Sequence, residues 1–168
     1  MSDKQITDFY RNALGIKTNE KEIYLRAVTH KSYNNSTNNE RLEFLGDAVL
    51  DLIVSKQLFV KNKDASEGFL SIEKSKYVSR ENLNRVAERI LNKNVIKHKS
   101  SYLSKNMLGN TLESIIGAIY IDKGMQACEK FILKHILQFK TEGFLLKNLS
   151  RTINKIFYDK KTKVNRRS

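Results

Sequence analysis

Residues 40–53 constrain the fold of this chain more than any other segment. When each residue turns by about 100°, the apolar residues of this segment collect on one side of a helical wheel. The carboxylates fall within an arc of about 80° on the opposite side. The apolar set is Leu42, Leu45, Val49, Leu52 and Ile53, and the acidic set is Glu40, Glu43, Asp47 and Asp51. The pattern predicts an amphipathic helix from residue 40 to about residue 61.

Helices are also predicted for most of the remaining chain. The 168 residues include no proline, which favours helices over a loop-rich β architecture. Apolar periodicity predicts helices at 7–14, 21–29, 69–78, 80–91, 107–122, 126–139 and 144–156, with Gly15 and Gly124 as stop positions. We therefore predict an all-α fold with one domain over residues 1–150, followed by a basic tail or linker over residues 151–168.

The charge of the chain indicates a polyanionic partner. Lysine and arginine total 31 against 18 acidic residues, which gives a formal net charge of +13. Nucleic acid is the first candidate and an acidic membrane surface the second, while a ribosome-like or merely soluble basic surface stays open. No apolar run approaches the roughly 18 residues of a membrane span. Cys128 is the only cysteine and is expected in the core, so we expect a reducing, cytoplasmic setting.

The acidic face of residues 40–53 has two interpretations. Like charges three and four residues apart repel, and an ordinary solvated face would mix lysine among the acids. Carboxylate oxygens are the ligands that Mg²⁺ prefers, so a divalent cation site is the alternative to a solvated face. Phe44 lies beside the acids and needs cover from a partner or from a loop of its own chain. Gly46 either marks the close approach of another backbone or is a tolerated helix glycine.

A second segment, residues 107–124, repeats the arrangement. Asn110, Glu113 and Gly117 share one face of the predicted helix, and apolar residues occupy the other. The small Gly117 would let another helix, or a metal ion with its waters, approach Glu113. Asn110 could equally be a plain N-cap, because asparagine is among the best capping residues.

These two segments together resemble the ribonuclease III family. The run NERLEFLGDAVL at residues 39–50 is similar to the family's signature over its whole length. AVTHKSY at 27–33 and EGFLSIEKSKYVSRENL at 67–83 resemble the flanking segments. GNTLESIIGAIYIDKG at 109–124 resembles the family's second acidic motif. The resemblance spans roughly residues 20–140, with the segments in the family's order.

The resemblance implies an all-helical endonuclease domain that acts as a homodimer on double-stranded RNA. It places the catalytic Mg²⁺ ligands, with Mn²⁺ as a substitute, at Glu43, Asp47, Asn110 and Glu113. Glu40 and Glu67 match further acids that line the same cleft. Phe44 matches an aromatic residue that inserts into a socket on the other subunit. The expected products carry 5′-phosphate and 3′-hydroxyl ends.

The chain departs from the family pattern in two respects. Asn110 stands where the pattern has aspartate, so the predicted metal site has one formal charge fewer. We expect a weakened or retuned endoribonuclease, and a catalytically impaired RNA-binding or ribosome-associated protein is the alternative. The second departure is a basic tail where many members carry a double-stranded-RNA-binding domain. Truncation at a linker is the favoured explanation, and a minimal member that relies on its tail is the alternative.

Overall fold

The structure, a computed structural model, describes residues 3–137. Its helices are α1 (Asp3–Asn12), α2 (Lys21–Ala27), α3 (Glu40–Lys61), α4 (Glu67–Val78), α5 (Arg80–Ile90) and α6 (Lys105–Ile132). A 3₁₀ turn spans Lys93–Val95, and a π-helical segment, Leu133–Leu137, continues α6. Within residues 3–137 the only extended pairing is an isolated parallel bridge between Thr29 and Lys97. The all-α prediction is confirmed, whereas the predicted tail at 151–168 lies outside the described residues.

Helices α3 and α6 form the centre of the fold and cross with their backbones in direct contact. A Cβ atom built on Gly46 would lie 2.7 Å from the carbonyl carbon of Glu113. A Cβ atom on Gly117 would lie 3.1 Å from the carbonyl carbon of Leu42. Only glycine permits this approach, so the close-approach interpretation of Gly46 and Gly117 is confirmed. The crossing sets the acidic segments of the two helices side by side.

The buried face of α3 is rotated relative to the predicted one. Leu42, Val49 and Ile53 are buried as expected, but Leu52 is 57% exposed and Leu45 is only partly buried. Gly46, Leu50 and Val54 are buried instead. The helical wheel placed Leu45 and Leu52 in the core and left Leu50 out, whereas the backbone contact at Gly46 turns the face with Gly46, Leu50 and Val54 toward α6. As a result, α3 keeps apolar side chains on its outer surface.

Helix α6 begins earlier than the sequence pattern predicted, and it combines the helices predicted at 107–122 and from 126 onward. Ser104 is its N-cap and accepts a hydrogen bond from the backbone nitrogen of Met107 through its hydroxyl. The N-cap interpretation of Asn110 is therefore wrong, since Asn110 lies inside the helix. Gly124 has non-helical backbone angles, with a φ of 74° that glycine tolerates, and it separates two helical stretches across a kink. The predicted stop at Gly124 is therefore confirmed. Cys128, beyond the kink, is buried as expected, and burial raises the pKa of its thiol to about 11.

The loop before α3 is held against the segment that follows the 3₁₀ turn. His30 donates its backbone N–H to the Lys97 carbonyl, and Lys97 donates to the Val28 carbonyl, at 2.9 and 2.8 Å. The Asn39 backbone N–H in turn donates to the Thr29 carbonyl at 2.9 Å. These bonds fix the loop at the N-terminal end of α3. Of the helices within residues 3–137, none is both long and apolar enough to cross a membrane.

Candidate active site

An open cleft of about 470 Å³ lies where α3, α6 and the start of α5 meet. Its walls come from α3, α6, Arg80 at the start of α5 and the loop that precedes α3. The lining residues are His30, Lys31, Asn39, Glu40, Glu43, Phe44, Asp47, Arg80, Asn110 and Glu113. All four predicted metal ligands thus face one cleft.

The crossing of α3 and α6 creates this cleft. Glu43 and Asp47 lie on either side of Gly46, whose backbone lies against the backbone of Glu113. The Ser114 hydroxyl donates to the Asn110 carbonyl at 2.7 Å and lies 3.3 Å from the Asn39 carbonyl, which places α6 against the start of α3. A rigid pair of helices, rather than a mobile loop, therefore positions the acidic groups.

Arg80 is the cation inside the acidic cleft. Its Nη1 donates to the side-chain oxygen of Asn110, and it lies 3.4 Å from Oε2 of Glu113. Asn110 also hydrogen-bonds the Glu43 carboxylate, which leaves its amide between an arginine and a carboxylate. An amide can do both, because its oxygen accepts while its nitrogen donates.

Glu113 has the most strongly perturbed carboxyl group of the cleft. Its side chain is only 5% exposed, and burial raises its pKa to about 7. Arg80 opposes this rise, while the negative charges of Asp47 and Glu43 add to it. Burial also raises the pKa of Glu43, again against the charge of Arg80. The carboxylates are therefore close enough for their negative charges to raise the pKa of Glu113.

Glu40 lies at the rim of the cleft. It forms an ion pair of 2.8 Å with Lys31, and both side chains are more than half exposed. An exposed pair of this kind contributes little to the stability of a fold. The Glu40 carboxylate is thus available at the cleft mouth, next to a lysine.

Two acids from the sequence analysis lie outside the cleft. Asp51 was placed on the acidic face, but its carboxylate pairs with Lys74 of α4 at 2.8 Å. Glu67, expected to line the cleft, accepts a hydrogen bond from Ser71 and faces a separate groove with Leu52, Phe59 and Leu70. Of the two further acids predicted to line the cleft, Glu40 does so within one chain and Glu67 does not.

The donor set suits a hard divalent cation. Glu43, Asp47 and Glu113 offer carboxylate oxygens and Asn110 an amide oxygen, which are ligand types that Mg²⁺ uses. Among residues 3–137, however, no three Asp, Glu, His or Cys side chains lie close enough together to hold an ion as they stand. The Arg80 guanidinium is hydrogen-bonded to two of the four side chains. The residues fit Mg²⁺ in chemistry and location, and a cation would have to displace the arginine.

Sequence reasoning missed Arg80. The basic residues of this chain are numerous, and one more arginine at a helix start carries no signal of its own. Its contact with Asn110 spans thirty residues of sequence, and no helical wheel of a single segment can show it. Only the packing of α5 against α6 identifies Arg80 as part of the cleft.

Comparison with known proteins gives a consistent result. A family model described as Ribonuclease-III-like matches residues 20–139. Ribonuclease 3 of Leptospira interrogans is 42% identical over 140 residues, which cover 75% of this chain and 56% of that protein. Ribonuclease 3 of Bacteroides thetaiotaomicron is 42% identical over 137 residues, covering 77% and 44%. The chain thus spans about half the length of the curated relatives it matches.

Solved structures with the same fold include the nuclease domain of ribonuclease III from Campylobacter jejuni. One such structure has a TM-score of 0.73 and 33% sequence identity, and covers 78% of this chain and 93% of the other. A second has a TM-score of 0.72 over 78% of this chain and 96% of the other. It is described in terms of structural flexibility in a region involved in dimer formation.

Proposed function

Because this chain belongs to the ribonuclease III family, we propose that it is an endoribonuclease that hydrolyses the phosphodiesters of double-stranded RNA. The observation that carries the proposal is the cleft itself. Two helices locked at a glycine crossing direct Glu43, Asp47, Asn110 and Glu113 toward one open space. Grouped carboxylates on a rigid scaffold suit metal-assisted hydrolysis of a phosphodiester. The expected products carry 5′-phosphate and 3′-hydroxyl ends.

We propose that these four residues hold Mg²⁺. When bound, the cation supplies charge neutralisation at the phosphate and an activated water. Glu113 is the most buried of the four proposed ligands, and the crossing of α3 and α6 holds it at the floor of the cleft. Asp47 is exposed at the mouth of the cleft, where it is accessible to solvent and substrate. The loss of one charge at Asn110 is expected to weaken cation binding without removing a ligand.

The basic residues around the cleft suit a duplex partner. Lys31 and Arg80 place positive charge beside the acids, where phosphates of a substrate would lie. A net charge of +13 supplies long-range attraction to RNA, and the binding should weaken steeply with salt. A-form RNA is recognised mainly through its shape, its phosphates and its 2′-hydroxyls, so weak sequence preference is expected.

We further propose that two copies of the chain assemble through the outer face of α3. Phe44 is 81% exposed, and Ile23, Leu45 and Ile121 lie beside it. Farther along α3, Leu52 and Phe59 open onto the groove that contains Glu67. Exposed apolar surface of this extent on one helix is typical of an interface. A dimer would bring a second acidic cleft to the same duplex.

A cleavage assay tests the proposed activity. A fully paired, end-labelled RNA duplex is incubated with the protein in Mg²⁺ or in EDTA, and the products are sized and their ends analysed. We expect cleavage only with Mg²⁺, its loss in Glu113→Gln and Asp47→Asn, and faster cleavage in Asn110→Asp. Glu88→Gln, an exposed acid of α5 outside the cleft, is the matched control. If neither the wild type nor Asn110→Asp cleaves the duplex, the proposed enzymatic activity is wrong.

The second candidate is a non-catalytic RNA-binding protein on the same scaffold. The Arg80 bonds to Asn110 and Glu113 favour it, because they satisfy two predicted ligands without a cation. This candidate requires duplex binding that is independent of Mg²⁺ and unchanged in Glu113→Gln. A gel-shift assay run beside the cleavage assay separates the two candidates.

A further inference from the structure

Arg80 occupies a position from which it can reach the whole acidic cleft. It is the first residue of α5, directly after the N-cap Ser79, whose hydroxyl accepts a bond from the Asn82 backbone N–H. From there its side chain extends to α6. Gly109 of α6 lies beside it, and a Cβ atom at that position would make an ordinary contact of 3.4 Å with Arg80 Nη1. The same Cβ atom would lie 2.5 Å from Oδ1 of Asn84, so the Asn84 side chain is what requires a glycine here.

The guanidinium acts on three of the four predicted ligands. It donates to Asn110 and lies 3.4 Å from the Glu113 carboxylate. It reaches Glu43 through Asn110, whose amide hydrogen-bonds that carboxylate. It is also the largest favourable charge acting on both Glu43 and Glu113. The charge of one arginine therefore lies beside the same side chains that a divalent cation would contact.

The contact between Arg80 and Glu113 is exposed on one side and buried on the other. The Arg80 side chain is 48% exposed, whereas the Glu113 side chain is only 5% exposed. Arg80 can turn into solvent, but the buried Glu113 carboxylate then needs another positive charge in its place. The position suits a counterion that can be exchanged.

We propose that Arg80 is a positioning residue that competes with the divalent cation for Glu113 and Asn110. The inference rests on the proposed function, because it takes those residues as ligands. Arg80 holds the ligand side chains together and must be displaced from them when a cation binds. Its positive charge then remains beside the cation and repels it, which lowers cation affinity. Cation binding is thereby weaker than the oxygen ligands alone would give, in addition to the effect of Asn110.

The experiment measures Mn²⁺ binding to the whole chain without RNA. Mn²⁺ is titrated at fixed pH and salt, and the free ion is counted by electron paramagnetic resonance. We expect Arg80→Gln to bind Mn²⁺ about tenfold more tightly than the wild type, because the competing charge is gone. Arg80→Lys keeps the charge and should stay within about threefold of the wild type. Arg85→Gln, on the same helix but outside the cleft, is the matched control and should not change the affinity.

Three outcomes would decide against the inference. If the wild type binds Mn²⁺ and Arg80→Gln binds it equally or more weakly, Arg80 does not compete, and the proposed activity is untouched. If Arg80→Lys binds as tightly as Arg80→Gln, the effect is not one of charge. If no variant binds Mn²⁺, the proposed metal site is wrong, and the inference falls with it. Thermal unfolding of each variant, together with Arg80→Lys, separates a binding effect from a loss of fold.

Discussion

At the scale of single residues, the burial of Glu113 dominates the electrostatics of the molecule. The α3 backbone covers its base, and the acids at positions 43 and 47 face it across the crossing. Such a carboxyl group resists ionisation, which is why its pKa is raised to about 7. A site that concentrates carboxylates at a buried position is less stable than a neutral version of itself.

Glu113→Gln should therefore stabilise the protein at high pH. A carboxyl pKa raised from 4.5 to about 7 on folding gives stability that is complete below pH 4.5 and lost as the pH rises through 7. Relative to wild type, the variant should gain about 2–3 kcal/mol in unfolding free energy between pH 5 and pH 8. Chemical denaturation in a chelating buffer at both pH values measures this, with Glu88→Gln as the control. Parallel pH profiles for wild type and Glu113→Gln would contradict the assigned pKa.

The sequence predicted some residues of the cleft and could not predict others. Glu43 and Asp47 are one helical turn apart, so their shared face follows from helix geometry alone. Their meeting with Asn110 and Glu113 was implied by the family resemblance, and the glycine crossing explains it. Arg80 was missed because its contacts depend on how α5 packs. Asp51 was misplaced because a wheel cannot show that Lys74 of another helix pairs with it.

At the scale of elements, the crossing of α3 and α6 determines where every functional side chain lies. The bounds of α3 agree with those predicted, because its period is regular and it begins and ends beside polar loops. The buried face of α3 differs from the predicted one, because the backbone contact at Gly46 determines which side of the helix faces α6. A contact between two backbones is not marked by an apolar residue in the sequence. Its only sign is a glycine within a helix that helix propensity does not explain.

Gly46→Ala should destabilise the protein and distort the cleft together. The added Cβ atom would meet the Glu113 carbonyl group, which is backbone and cannot rotate away. We expect a loss of at least about 2 kcal/mol in unfolding free energy, typical of overpacking. Gly68→Ala in α4 is the matched control, since nothing lies within 4 Å of its added Cβ atom. That variant should gain about 0.5–1 kcal/mol from helix propensity. If the two substitutions change thermal unfolding equally, Gly46 is not in tight backbone contact at the crossing of α3 and α6.

At the scale of the whole molecule, charge and apolar surface are segregated. A strongly basic chain places four carboxylates around one cleft, those of Glu40, Glu43, Asp47 and Glu113, with Lys31 beside them. Beside that cleft, the outer face of α3 carries apolar side chains that the core does not use. The sequence marked Phe44 as separate from the core, but it placed Leu45 and Leu52 inside. The expected dimer therefore rested on Phe44 alone, whereas the structure shows several exposed or partly exposed apolar side chains along the outer face of α3.

Phe44→Ala should weaken the proposed dimer without unfolding the protein. The ring is 81% exposed, so its removal leaves no cavity in the core, and thermal unfolding of the monomer should change little. Its loss should weaken association, because large aromatics in the centre of an interface contribute most of the binding energy. Sedimentation equilibrium at micromolar concentration measures the change, which we expect to be at least about tenfold in the dissociation constant. Tyr102→Ala removes an aromatic ring of similar exposure that lines neither groove beside α3, and it should leave association unchanged. If the wild type sediments as a monomer, the outer face of α3 has another partner, and a single chain would offer the duplex only one acidic cleft.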